Sequence, residues 1–380
     1  MALAFSAVKG GVTTPRGFRA AGISAGIKAN KGLDLALLVS ESPATAAAVF
    51  TVNRAQAAPV VVSRQHLARS GGVARAIVVN SGCANACTGD EGLQAARDMA
   101  AETARFVNCP AEQVLVASTG VIGVALPIEK VRSGLPDAMR ALGADQGAAA
   151  ARAIMTTDPF PKEAAAQIAI GAREVAIGGM AKGSGMIDAL REAVDDTFNA
   201  ITVDGECSTN DCVMLLANGA SGAVVDETSY GAFVAGLQAV CRELALGIVR
   251  GGEGATKLVT VTVTGGASSV EARRAAKAIA NSPLVKTAIH GGDPNWGRLI
   301  AVAGRAGVAF ELERAAVMIG SIVLFKNGKP HDEAAPQAAA YLKGKDISVS
   351  VDLGAGTVSS TVWTCDLSAE YVRINADYRT

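Results

Sequence analysis

Lys182 stands in GGMAKGSGMI, a single cation among glycines at 178, 179, 183 and 185. Glycine admits backbone conformations and close approaches that a Cβ forbids, so a loop of this composition suits a ligand held against the chain. Other glycine-flanked polar clusters recur: NSGCANACTG at 80–89, STG at 118–120, MTTD at 155–158, GEGATK at 252–257, HGGDPNWGR at 290–298 and the tail INADYRT. Singly, each is a turn signal. Together they call for a common explanation.

Generic chemistries fit poorly. Lys182 precedes the glycines of KGSGM, so the phosphate loop GxxxxGK[ST] is absent, and no strand-like run leads into GxGxxG. Ser184 lacks the outer glycines of a nucleophile elbow. With only His66, His290 and His331 in the chain, a serine-histidine triad is disfavoured. Cys83-x3-Cys87 and Cys207-x4-Cys212 lack the two-residue spacing of strong zinc knuckles, and no metal site is expected. The seven cysteines read as reduced thiols packed in loops or elements.

The 35 basic and 35 acidic residues cancel, leaving no net field to recruit nucleic acid or an anionic membrane. Small molecules are the expected partners. No apolar run is expected to reach a membrane span, Met1 to Pro15 shows no signal-peptide core, and a cytoplasmic location follows as an expectation.

The positioning elements alternate. Strand-like runs fall near 34–40, 47–53, 58–63, 76–82 and 114–120, short, β-branched and bounded by small polar residues. GLQAARDMAAETARF puts Leu93, Ala96, Ala100 and Ala104 on one helical face, Leu190, Val194 and Phe198 follow the same spacing, and a third helix starts near Ser229. RGGEGATK breaks the pattern like a hinge. Beyond it come KLVTVTVTG, a turn at Asn327-Gly328, and two alternating runs, DISVSVDL and TVSSTVWTC, joined by Gly354-Ala355-Gly356. At 380 residues two domains are expected: a main α/β domain over 1–255 and a smaller α+β domain over 256–380.

In order, GGVTTPRGFRAAGISAGIKANKGLDLALLVS, NSGCANACTG, VLVASTGVIG, IMTTD, GGMAKGSGMI, TVDGECSTND, EGATK, GDPNWGR and INADYRT resemble ornithine acetyltransferase of the cyclic arginine pathway, from about residue 11 to Thr380. The resemblance implies a self-processing, N-terminal-nucleophile-like α/β sandwich. It implies transfer of an acetyl group from N-acetylornithine to glutamate, with acetyl-CoA a co-substrate in some members and no bound cofactor or metal. Members cut their own chain before a threonine whose hydroxyl becomes the nucleophile, chemistry that needs no imidazole. Such members assemble as pairs of two-fragment units (α2β2).

Carried over residue by residue, Thr119 and Gly120 would form the oxyanion hole, where a hydroxyl and a backbone N–H converge on the tetrahedral oxygen. Substrate contacts fall on Thr156, with Thr157 a near alternative, and on Lys182, Glu253, Asn375 and Thr380. Lys182 suits a carboxylate and Glu253 a substrate ammonium. GDPNWGR reads as structural support.

The chain departs from the family at one place. There KGSGMI continues into a run of the type APNMATM, whose threonine is the nucleophile, then a strand and a linker. Here Ile187 is followed at once by Asp188, so about twenty residues with the covalent chemistry are absent. Losing a central strand would leave its neighbours' ladder groups unpaired. Three readings stand: an acetyltransferase whose nucleophile segment lies outside these 380 residues, an inactive relative that still binds ornithine or glutamate derivatives, and a related self-processing aminopeptidase or amidohydrolase.

Overall fold

LALLV at 35–39 is apolar at every position, the mark of a strand covered on both faces rather than one. In the computed structural model, which describes residues 5–182 and 188–377, it opens the sixteen-residue strand Leu35–Phe50. Two compact units divide the chain, the first over 1–199 and 207–248, the second over 200–206 and 249–379.

The first unit contains β1 (Phe5–Val8), β2 (Phe18–Ile23), β3 (Leu35–Phe50), α1 (Ala58–Arg69), β4 (Val73–Cys83), α2 (Gly89–Val107), β5 (Val114–Val121), α3 (Ile128–Arg140) and α4 (Gly147–Ala153). It continues with β6 (Glu163–Ile170), β7 (Arg173–Met180), α5 (Asp188–Asp195), β8 (Cys212–Ala217) and α6 (Tyr230–Arg250). One sheet runs β2-β3-β4-β5 with β8 added to β3, and another runs β1-β6-β7. β3 serves three partners: Leu35–Ser40 pair with β2, Leu35–Val39 and, past a register shift around SESP, Ala44–Thr45 pair with β4, and Thr45–Phe50 pair with β8. Proline has no N–H for the ladder, so Pro43 is tolerated at this irregularity.

Alternation along β3 sends Leu35, Leu37 and Val39 into a core shared with α1, α2 and α3. Ala36 and Leu38 enter the opposite core, with Ala150, Ala153 and Ile154. Both faces are covered.

Two local expectations fail here. APVVVS at 58–63 forms the start of α1, not a strand. Pro59 is tolerated in the first turn, and tertiary bonds fix the helix: Ser63 Oγ donates to Val116 O (2.7 Å) and His66 Nδ1 bonds Val114 O (2.8 Å). Length also misleads: α6 is long and apolar enough to cross a membrane, a run the sequence was not expected to contain. Its Leu237, Val240, Leu244 and Val249 are buried in the protein, as in a core helix.

The second unit contains β9 (Leu258–Gly266), α7 (Ser269–Ala280), α8 (Pro283–Gly291), α9 (Trp296–Gly304), β10 (Ala316–Ile319), β11 (Ile322–Lys326), β12 (Lys329–Pro330), α10 (Ala335–Tyr341), β13 (Asp346–Asp352), β14 (Val358–Cys365) and α11 (Ala369–Asp377). Its sheet runs β12-β11-β10-β13-β9-β14. Asn327 and Gly328 both take positive φ, 51° and 72°, the turn that tightly joins β11 to β12. The runs forming β13 and β14 do not pair with each other, since β9 lies between them, parallel to β13 and antiparallel to β14. Trp296 stacks on Phe325 at 4.9 Å and Asn295 caps α9, the supporting role expected of GDPNWGR.

Asp366, just past β14 and buried, ties this unit together. It accepts from the amides of Thr256 (2.7 Å) and Lys257 (2.9 Å), from Thr256 Oγ1, and bonds His290 Nδ1 (2.6 Å). Burial pushes its carboxyl up, but the Thr256 and His290 bonds outweigh that and hold it below the ordinary carboxylate range. A depressed folded value stabilises the fold above the unfolded value of about 3.9, and that contribution is lost as pH falls through the folded value. Asp366→Asn is expected to cost about 2–3 kcal/mol at neutral pH, with the gap to the parent protein closing below about pH 4 in thermal melts. A gap independent of pH would contradict the assignment.

Candidate active site

β5 brings the first site residues into place. It runs parallel to β4, from Ala76 opposite Val114 to Gly82 opposite Gly120, and the ladder shifts register at Gly82–Cys83. Gly120 has φ +132°, and a Cβ there would lie 2.4 Å from the carbonyl carbon of Gly82 and 2.6 Å from the Cys83 nitrogen. Glycine is therefore required by packing alone. Around it, Ser118 Oγ donates to Asn80 Oδ1 (2.6 Å), and Asn210 Nδ2 donates to the carbonyls of Ala84 (2.7 Å) and Ser118 (2.8 Å). The strand end beside Thr119 is thus fixed from two sides.

Lys182, two residues beyond β7, donates to Thr119 Oγ1 and to Thr156 Oγ1 (2.6 Å). Three residues expected from separate motifs therefore meet at one ammonium. Thr157, the near alternative, is exposed. The Thr156 amide donates to Asp158 Oδ2 (3.1 Å), and Asp158 is paired with Lys162, whose side chain is 3% exposed. Burial would raise the Asp158 carboxyl, but Lys162, the Thr156 amide and Lys182 together hold it below its ordinary value. Lys28 adds a further cation whose pKa burial lowers, against the opposing charges of Asp34 and Asp158.

Beside Thr119 and Lys182 opens a cavity of about 230 Å³. Ser118, Thr119, Lys182, Ser208, Asn210 and Asp211 contribute its polar lining, while β7, β8 and α6 supply mostly apolar walls, among them Ile177, Met214, Leu237 and Leu244. Gly120 and Thr156 are not part of that lining.

In the second unit, Asn375 on α11 donates to Glu253 Oε2 (2.8 Å) and to Tyr371 O (3.0 Å). The tail up to Asp377 is helical rather than frayed. Tyr371 donates to Asp204 Oδ2 (3.2 Å), and burial followed by the Asp204 charge pushes its phenol up to about 12. Thr380 and the join after Ile187 lie outside the described residues. Among the described residues no group of three or more His, Cys, Asp or Glu could hold a metal ion.

Sequence reasoning gave no role to Asn210, Ser118, Asp158 or Lys28. Each lies inside a quoted motif, but its part depends on which carbonyl or charge the fold brings to it.

Fold and site define an α/β protein with a small-molecule cavity in its first unit. The chain matches the ArgJ family over residues 19–190 and 188–380, and it belongs to that family. The arginine biosynthesis bifunctional protein of a Synechococcus strain is 48% identical over 420 aligned positions, covering 100% of both chains. That of Symbiobacterium thermophilum is 46% identical over 401 positions, covering 98% of this chain and 99% of its own. Among solved structures, ornithine acetyltransferase from Mycobacterium tuberculosis, complexed with ornithine, is 42% identical with a TM-score of 0.44, covering 48% of this chain and 97% of its own. The alignment of 420 positions exceeds the 380 residues present here, so the Synechococcus relative carries residues that this chain lacks. The two family matches meet at 188–190, directly after the glycine-rich loop.

Asp158→Asn removes the partner of a buried lysine and is expected to cost about 3 kcal/mol in denaturant unfolding. Gly120→Ala forces β5 away from Gly82, and both a lowered Tm and loss of the Thr119–Lys182 contact are expected. An unchanged Tm would show that the two backbones separate freely.

Proposed function

We propose that the site serves acetyl transfer from N-acetylornithine to glutamate in arginine biosynthesis. The observation that carries this is the convergence of Thr119 and Thr156 on Lys182 at a cavity, in a member of the ArgJ family. Thr119 and Gly120 stabilise the oxyanion and Thr156 and Lys182 hold a substrate carboxylate, while the family resemblance also assigns substrate contacts to Glu253, Asn375 and Thr380.

The covalent step needs a threonine hydroxyl. Its oxygen bonds to the acetyl carbon, the C–N bond breaks, and ornithine leaves with the proton. The glutamate amine then takes the acetyl group, the C–O bond breaks, and a proton returns to the threonine oxygen. That threonine belongs to the segment missing between Ile187 and Asp188, so these 380 residues hold the binding and oxyanion half of the site. No bound cofactor is called for, and acetyl-CoA is a co-substrate in some members of the family. A protein with the segment would cleave itself, pair as α2β2 and work in the cytoplasm.

A second reading, a relative that binds ornithine or glutamate derivatives without turnover, is favoured by one observation: the family match breaks at 188–190.

Inserting the Synechococcus relative's aligned residues between Ile187 and Asp188 separates the readings. Acetyl transfer from N-acetylornithine to glutamate is expected in the extended protein and absent in the 380-residue chain. In the extended protein, Thr119→Ala should lower kcat by about 10²-fold or more. Unchanged turnover would remove the oxyanion role. Ornithine release without glutamate would instead identify a hydrolase.

A further inference from the structure

Lys286 in α8 and Cys365, the last residue of β14, are reactive side chains that the site in the first unit does not use. Both are buried, at 3% and 2% exposure. Lys286 Nζ donates to Val203 O (2.7 Å), Thr364 Oγ1 (2.9 Å) and Cys365 O (2.7 Å), and lies 3.6 Å from Cys365 Sγ. Thr364 Oγ1 in turn donates to Ala280 O (3.2 Å), so the end of the lysine is held from α7 and β14 together. A charged amine is costly to bury. Burial accordingly lowers the Lys286 amine and raises the Cys365 thiol, although the charge of each opposes the shift of the other. As an ammonium, Lys286 satisfies all three oxygen acceptors. Losing one proton leaves a lone pair on nitrogen, and Cys365 Sγ is the further neighbour it can face. A thiol buried in apolar surroundings is ordinarily inert, for want of a group to take its proton. Here an amine stands within reach to take it.

We propose that Lys286 and Cys365 form an oxidative modification site, at which dioxygen joins the lysine nitrogen to the cysteine sulfur through a single bridging oxygen atom. An S–O and an N–O bond form, the S–H bond and one N–H bond break, and the second oxygen atom leaves as water with those two hydrogens. Sulfur and nitrogen each give up two electrons, and dioxygen accepts all of them. The separation of 3.6 Å leaves room for one atom between the two groups, and the flexible lysine stem supplies the small movement that closes the bridge. Dioxygen is small and apolar, so a buried site does not exclude it as it would a charged oxidant. The bridge ties α8 to the end of β14 and closes the chain between 286 and 365, restraining the unfolded state as a disulfide does. A thiol reductant returns the free amine and thiol. The site lies in the second unit, and its chemistry is independent of acetyl transfer.

The test uses the 380-residue protein, one sample kept under air and another under nitrogen with a thiol reductant. Free thiols in each are alkylated under denaturing conditions, and each sample is digested with trypsin. From the aerated sample a species joining 278–298 to 346–373 is expected, uncut at Lys286 and about 14 Da heavier than the two peptides together, for one oxygen gained and two hydrogens lost. Treating that species with reductant should separate the peptides and restore cleavage at Lys286. The aerated protein should also melt at a higher temperature than the reduced one. Cys365→Ser, which keeps a small polar atom beside Lys286, should fold and yield no joined species. Separate peptides with Cys365 fully alkylated would overturn the proposal. So would a gain of about 16 Da confined to Cys365, the mark of a sulfenic acid, with Lys286 still cut. A joined species lighter than the two peptides together would mean a direct sulfur–nitrogen bond and would likewise overturn it.

Discussion

The close approach of two backbones at Gly82 and Gly120 is the contact from which the site in the first unit is built. Neither position tolerates a side chain easily: both take positive φ, and a Cβ on Gly120 would enter the chain at Gly82 and Cys83. That approach closes the parallel β4–β5 ladder and sets Thr119 at its end. Asn80, Ser118 and Asn210 lock the surrounding carbonyls, leaving the Thr119 hydroxyl for Lys182. Preorganised donors of this kind act without reorganisation when charge develops on a substrate oxygen.

Charge arrangement follows from the same frame. Asp158 sits between Lys162 and the Thr156 amide, and its charge also reaches Lys182 of the cavity lining. Lys182 donates to the hydroxyls of Thr119 and Thr156, and a cation at that point suits an anionic ligand. Against this order stands the cavity wall, where two edge strands end their sheets without a partner among the described residues.

Much of this was legible from residue patterns. Helices with a clean apolar stripe, such as α2 and α7, and the turn at Asn327-Gly328 follow local rules that the fold obeys. α1 was not legible, because APVVVS has a strand's composition and is made helical by bonds from Ser63 and His66 to β5, about fifty residues away. The placement of β9 between β13 and β14 was equally hidden, since no glycine turn reports which strand will insert. For the site, motif order located Thr119, Thr156 and Lys182, but Asn210 and Asp158 have roles that exist only in three dimensions.

We propose that these 380 residues form the binding half of an acetyl-transfer site and lack the threonine that acts as its nucleophile. An intact-mass spectrum of the purified protein under denaturing conditions addresses it most directly. A single species at 38.3 kDa is expected, since no threonine is present at the join to cut the chain. Two fragments summing to clearly more than 38.3 kDa would contradict it, showing that the segment is present and that self-cleavage has occurred.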